Sequence, residues 1–226
     1  TEFNPAAVIK FGYEADEADA KVLAVLEEGR PVDAAQAGVT VDVLTDVTPF
    51  YAESGGQAGD TGAITWDGGA GEVIDTKKHA GDLHVHAVKI TTGWLKPGQA
   101  VHLAIDSARR TATRSNHSAA HLLHAALKHV LGPHVAQKGQ MVDGERMRFD
   151  FSHGAPLTPA EIEAIEAEVN EVVRQNVAAQ TKDMAPQAAI EAGAVALHLR
   201  TTAVGCPHHV ALVNLGVRNP GVVEEH

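Results

Sequence analysis

The stretch "SARRTATRSNHSAAHLLHAALKHVLG", residues 107–132, marks where the chain changes character. Ala120, Leu123, Leu127 and Val130 recur at helical spacing, and Gly132-Pro133 stops the pattern. One long helix is predicted here. The residues before it read as β-structure. Short apolar runs, "AKVLAVLEEG" (20–29), "VTVDVLTDV" (39–47), "GEVIDT" (71–76), "LHVHAVKI" (83–90) and "AVHLAID" (100–106), are separated by Gly, Asp and Pro turns. "HVHAV" and "VHLAID" alternate apolar with polar, the mark of half-buried strands. Pro97-Gly98 is a turn into a strand. Many short strands at close spacing imply a small barrel or strongly bent sheet.

After the long helix, "VAQKGQMV" (135–142) and "RMRFDF" (146–151) read as strands around the turn Asp143-Gly144. "LTPAEIEAIEAEVNEVVRQN" (157–176) is a second helix. Thr158 is its N-cap, Pro159 sits at N1, and Glu161 at N3 completes a capping box. Ile162, Ile165, Val169, Val172 and Val173 form its apolar stripe. "APQAAIEAG" (185–193) reads as a short helix closed by Gly193. The expected class is α+β. A β-barrel-like lobe over residues 1–106 precedes a two-layer α+β region over 107–226, the two sharing an extensive interface because no linker parts them.

At 226 residues and 44% hydrophobic, the chain can bury a sizeable core. No apolar run approaches the roughly 18 residues of a membrane span. The opening "TEFNPAAVIKFGYE" has no basic start followed by a long apolar run, so it does not read as a signal peptide. The single cysteine, Cys206, rules out an internal disulfide and fits a reducing compartment, so a cytoplasmic location is expected. A net charge of −11 argues against general coating of nucleic acid. Local basic spots remain: Arg109, Arg110 and Arg114, and Lys77, Lys78 and His79. Each also reads as ordinary solvated surface.

The long helix carries His117, His121 and His124. Imidazoles at i and i+4 can hold one borderline-soft divalent ion between them. The only thiol, Cys206 in "GCPHHV", has His208 and His209 beside it, and this donor set suggests Zn2+. Fourteen histidines also give chance pairs, and an HxxxH alone is a weak signal. His124, His129 and His134 read as packing on the adjacent turn or facing solvent, not as ligands.

The run "SNHSAAHLLHAALKHVLGPHVAQKGQMVDGERMRFDFSH" (115–153), continued by "LTPAEIEAIEAEVNEVV" (157–173), closely resembles the editing domain of alanyl-tRNA synthetases and their free-standing editing relatives. "TPFYAESGGQAGDTGAI" (48–64) resembles the glycine motif of the β-barrel before that domain. "GYEADEADAKVLAVLEEG" (12–29) matches the bacterial synthetase pattern, so the likeness covers about residues 1–197. The resemblance implies an editing fragment without the ATP-using aminoacylation domain. It implies hydrolysis of seryl- or glycyl-tRNA mischarged on tRNA(Ala), at a zinc site. His117, His121 and Cys206 carry over as ligands, with His209 the nearest substitute for the fourth. Gln137 carries over as the catalytic hydrogen-bonding residue. Gly55, Gly56 and Gln57 would bring the barrel wall close to the pocket or the tRNA end, although the same glycines also read as a tight turn.

Arg109, Arg110, Arg114 and Lys138 are candidate tRNA contacts. No membrane partner is expected, and oligomeric state is left open. Three features depart from the family. Ala120 stands where Thr is usual, Gln140 replaces Ser in "QKGS", and the tail from Leu197 lacks the Cys-Gly-Gly-Thr-His signature. A tRNA-binding module with a degraded site, keeping at most a structural metal, is the competing reading.

Overall fold

The computed structural model describes residues 9–10, 15–79 and 83–176. In chain order the elements are β1 (Ile9–Lys10), β2 (Glu17–Glu27), β3 (Arg30–Pro31), β4 (Ala35–Gln36), β5 (Thr40–Thr45) and β6 (Val47–Thr48). They continue with β7 (Gly62–Trp66), β8 (Gly69–His79), β9 (Leu83–Thr92), β10 (Trp94–Leu95) and β11 (Ala100–Ile105). Then follow α1 (Ser107–Leu131), β12 (Gln137–Val142), β13 (Met147–Phe151) and α2 (Pro159–Gln175). The fold is α+β. It divides into two compact units, Thr1–Thr111 and Ala112–His226.

The first unit is a closed barrel. Antiparallel pairing runs β11-β7-β8-β9-β5-β2, and β11 pairs back onto β2, with His102 opposite Asp19. Among the described residues, closure leaves no long exposed edge in these six strands for another chain to extend. Bulges interrupt the ladder between Val22 and Ala24 and twice along β8–β9. Such bulges bend strands enough to close a small barrel. Valine dominates the interior: Val22, Val25, Val43, Val73 and Val88 are fully buried with Phe50, Ile64, Ile90, Leu95 and Leu103. Each such side chain contributes roughly 1.5–3 kcal/mol on burial. β-branched residues both favour strands and fill a pleated interior, so few aromatics are needed.

Strand β11 alternates as its sequence implies, with Val101, Leu103 and Ile105 buried. Strand β9 departs from the alternation. His84 and His86 share the interior face with Val88 and Ile90. Imidazole is tolerated there because its polar atoms are satisfied. His86 Nδ1 donates to the Val43 carbonyl at 3.0 Å. Its Nε2 accepts from the Thr48 hydroxyl at 2.7 Å, and that oxygen accepts the Phe50 N–H at 3.1 Å. The His86 ring meets Phe50 edge-on at 5.3 Å. Burial disfavours the charged form and pulls its pKa down to about 4, against the weaker opposing pull of the Val43 carbonyl.

In the second unit, α1, the β12–β13 hairpin and α2 share one core. Leu123, Ala126, Leu127, Ile165 and Val169 are buried there, flanked by Met147, Phe149 and Phe151. Gly132, at φ 114°, ends α1 as its sequence implies. The capping box of α2 forms in full. The Thr158 hydroxyl accepts the Glu161 N–H at 3.3 Å, and the Glu161 carboxylate accepts the Thr158 N–H at 2.7 Å. Of the expected stripe, Ile165 and Val169 are buried, but Val172 is 42% exposed and lies outside it. The hairpin turn is shifted by one residue from an Asp143-Gly144 loop: the Asp143 N–H donates to the Arg146 carbonyl at 3.0 Å, around Gly144 and Glu145. Val142 pairs with Met147, and Asp143 Oδ1 accepts the N–H groups of Glu145 and Arg146 at 2.8 and 2.9 Å. Asp143 therefore holds the turn through both its backbone N–H and its side chain. The helix expected at 185–193 lies outside the described residues. No described helix is long and apolar enough to cross a membrane.

Candidate functional site

The glycine motif of the first unit is a built turn. Ser54 and Gln57 exchange backbone hydrogen bonds of 3.2 and 3.0 Å around Gly55 and Gly56. Both glycines have positive φ, 61° and 83°, as a primed turn demands. Gln57 is buried, whereas Gly55 is exposed. A Cβ on Gly59 would lie 2.1 Å from the Thr76 carbonyl, so the loop crosses β8 at a distance only glycine permits. The structural reading of this motif thus has a direct physical basis.

The first turn of α1 is tied to the same loop. Arg109 Nη1 donates to the Gly59 carbonyl at 2.9 Å. Arg110 is buried and forms a close ion pair with the buried Asp60 carboxylate. Its Nε donates to Asp60 at 3.1 Å and its Nη2 to the Pro49 carbonyl at 2.6 Å. Asp60 also accepts the Tyr51 N–H at 2.6 Å. Arg110 is therefore a structural cation, not the solvent-facing phosphate contact that its place in an Arg cluster implies. Asp60 carried no local signal of this partnership, because the two residues lie 50 positions apart.

In the second unit, His117 and His121 stand one turn apart on α1. Their rings are near-parallel, at 8°, with centroids 5.1 Å apart. His117 is half-buried and His121 exposed, while Ala119 and Ala120 are buried. The side chain at 120 thus belongs to the buried surface of the helix. The third imidazole leaves the series. His124 is buried and packs on Phe149 of β13, with ring centroids 5.3 Å apart. It neither faces solvent nor packs only within its own helix.

Beyond the shared apolar core, two contacts join the hairpin to α1. One is this His124–Phe149 contact. The other is Asn116, whose side-chain amide donates to the Asp143 carbonyl at 2.8 Å. Asn116 went unread in the sequence, since nothing local marks a helical Asn as a tether. Register places Gln140 opposite Phe149 and Gln137 opposite Phe151. Directly opposed residues share a face, so both glutamines lie on the side of the hairpin that carries those phenylalanines. Lys138 is exposed at the bulge between Gln137 and Gly139, and Arg114 is half-buried on α1.

Parallel imidazoles at i and i+4 offer two corners of a tetrahedral zinc site, so the donors present fit half of one. Among the described residues, no group of three or more His, Cys, Asp or Glu side chains is arranged to hold a metal. Cys206, His208 and His209 lie outside the described residues.

Comparison with known proteins adds family to geometry. Residues 3–109 match the family model for class II tRNA synthetases (A). The chain is 68% identical over 186 residues to an alanine–tRNA ligase of Caulobacter sp. (strain K31), covering 82% of this chain and 21% of that protein. An alanine–tRNA ligase of Parvibaculum lavamentivorans is 54% identical over 187 residues, covering 82% and 21%. One of Xanthomonas campestris is 52% identical over 193 residues, covering 85% and 22%. The class II match and these identities identify the chain as a domain derived from the alanyl-tRNA synthetase family. It spans about a fifth of the length of the relatives it matches.

Proposed function

We propose that this chain hydrolyses the ester of tRNA(Ala) charged with the wrong amino acid, serine or glycine. The observation that carries the reading is the parallel His117–His121 pair on α1, placed in a chain related to alanine–tRNA ligases. The proposed ligands are His117, His121, Cys206 and His209. Bound there, zinc would supply a Lewis acid able to polarise the ester or lower the pKa of water.

The remaining work falls to the chain's own groups. An aminoacyl ester is already activated, so modest help with water attack and developing oxyanion charge suffices. Gln137 hydrogen-bonds the ester or the serine hydroxyl. A buried polar contact that alanine cannot satisfy separates the two amino acids far better than an apolar pocket separates methyl from hydroxymethyl. In the second unit the tRNA end is held by a few local cations, Arg114 and Lys138 among them; in the first unit Gly55, Gly56 and Gln57 are separate candidates for tRNA contact.

Release of serine from seryl-tRNA(Ala), measured with and without a chelator, tests this. Hydrolysis should vanish on chelation. His117→Ala should lower bound zinc and the deacylation rate together, each by at least about 10- to 100-fold, since outer-shell changes alone reach that scale. Unchanged zinc content in His117→Ala would sink the ligand assignment. Binding of tRNA without any turnover would make the chain a tRNA-binding module instead.

A further inference from the structure

Two histidines outside that site face one another across the open end of the hairpin. His134 lies just beyond α1, and His153 just beyond β13. His134 Nε2 and His153 Nδ1 are 3.0 Å apart, and the rings stack at 26° with centroids 5.2 Å apart. One ring donates its N–H to the lone pair of the other, so a single proton sits between two imidazoles. The backbone beneath them is fixed. The Ser152 N–H donates to the Ala136 carbonyl at 2.9 Å, and the Ser152 hydroxyl accepts the Ala136 N–H at 3.0 Å and donates to the His134 carbonyl at 3.2 Å. The two side chains are thus presented together by the hairpin ladder and not by a chance meeting of loops.

The surroundings favour positive charge. His134 Nδ1 lies over Gly132, at the carbonyl end of the 25-residue helix α1. The Glu161 carboxyl, which hydrogen bonds from Thr158 hold below its usual range, is near enough to His153 to interact with it. The nitrogen spacing fits a metal. Two ligand nitrogens about 2.0–2.1 Å from an ion are about 2.9 Å apart at a right angle and about 3.4 Å apart at a tetrahedral angle. The observed 3.0 Å is close to the right-angle value.

The geometry points to a second metal site, in which His134 Nε2 and His153 Nδ1 bind one divalent transition ion side by side, with water completing the shell. The ion takes the place of the shared proton, which moves to the far nitrogen of its own ring. Cis imidazoles with oxygen donors suit nickel(II) and copper(II), the stronger binders of the divalent series. This inference is independent of the editing reading, whose proposed ligands are other residues.

Nickel(II) is the probe, titrated by calorimetry into the full chain carrying His117→Ala, His121→Ala and Cys206→Ser. One ion should bind. Adding either His134→Ala or His153→Ala should weaken that event by more than about 100-fold, beyond the roughly 10- to 100-fold cost of losing an outer-shell partner. Circular dichroism checks that each variant is folded. In the unaltered chain the same two substitutions should each lower nickel stoichiometry by one. Direct evidence would come from imidazole nitrogen resonances on zinc titration, with His134 Nε2 and His153 Nδ1 shifting together. The proposal is overturned if the triple variant binds no nickel. It is equally overturned if binding survives either substitution unchanged, or if only one of the two histidines matters.

Discussion

His86 shows how a polar residue can be part of a hydrophobic interior. Its ring is fully buried, and both nitrogens are spoken for by Val43 and Thr48. The folded-state pKa of about 4 lies below the unfolded value of 6.5. Between those values the unfolded chain binds a proton that the folded chain refuses. The contribution is therefore complete above pH 6.5 and is lost as pH falls toward 4, about 3 kcal/mol in all. Urea denaturation of the wild type at pH 7 and pH 4 should show that loss. His86→Gln cannot take up the proton, so its stability should change less over the same window, whatever its absolute value. An identical pH dependence in the two proteins would refute the assignment. The sequence hid this residue because alternation in "HVHAV" marks a half-buried strand without saying which face is inward. Arg110 was hidden for a related reason. A run of arginines looks solvated until a distant carboxylate, here Asp60, is brought under it by the fold.

At the scale of elements, legibility follows sequence separation. Helix ends were readable because caps act over three or four residues. Thr158, Pro159, Glu161 and Gly132 all stand where their chemistry implies. The cap predicts its own test: Thr158→Ala should cost about 1 kcal/mol in urea denaturation, while Thr158→Ser should stay close to wild type. Equal losses in the two variants would show that the hydroxyl is not the operative group. Strands β8 and β9 were legible as apolar runs, but β7 (Gly62–Trp66) went unread inside the glycine-rich motif. Closure of the barrel through β11 and β2 was not legible as a specific pairing. It joins residues about 80 positions apart, such as His102 and Asp19, and no local pattern encodes that register. The His117–His121 pair was legible in full, because a helix fixes the i, i+4 relation as soon as the helix is read. The hairpin residues were harder to place. Gln137 could be read as polar on a strand, but its level along α1 depends on the Asn116 and Phe149 contacts.

For the molecule as a whole, the net charge of −11 constrains how a polyanion can be held. Long-range attraction is unfavourable, so any affinity for tRNA must come from a few cations close to the contact. Arg110 is unavailable because it is committed to Asp60, and Arg109 already donates to Gly59. Lys138 is exposed on the bulge of β12 and fits such a role best among the candidates. Each neutralised phosphate releases condensed counterions, so the logarithm of the binding constant should fall linearly with the logarithm of salt concentration. The slope should be shallow, of order −2, if only about two or three phosphates are contacted. Lys138→Ala should weaken binding of tRNA(Ala) and reduce that slope by about one, without changing preference among tRNA sequences. The measurement is tRNA affinity at several salt concentrations for both proteins. A slope unchanged by the substitution would remove Lys138 from the contact. A steep slope in the wild type would mean that more cations engage the phosphates than Arg114 and Lys138 can supply.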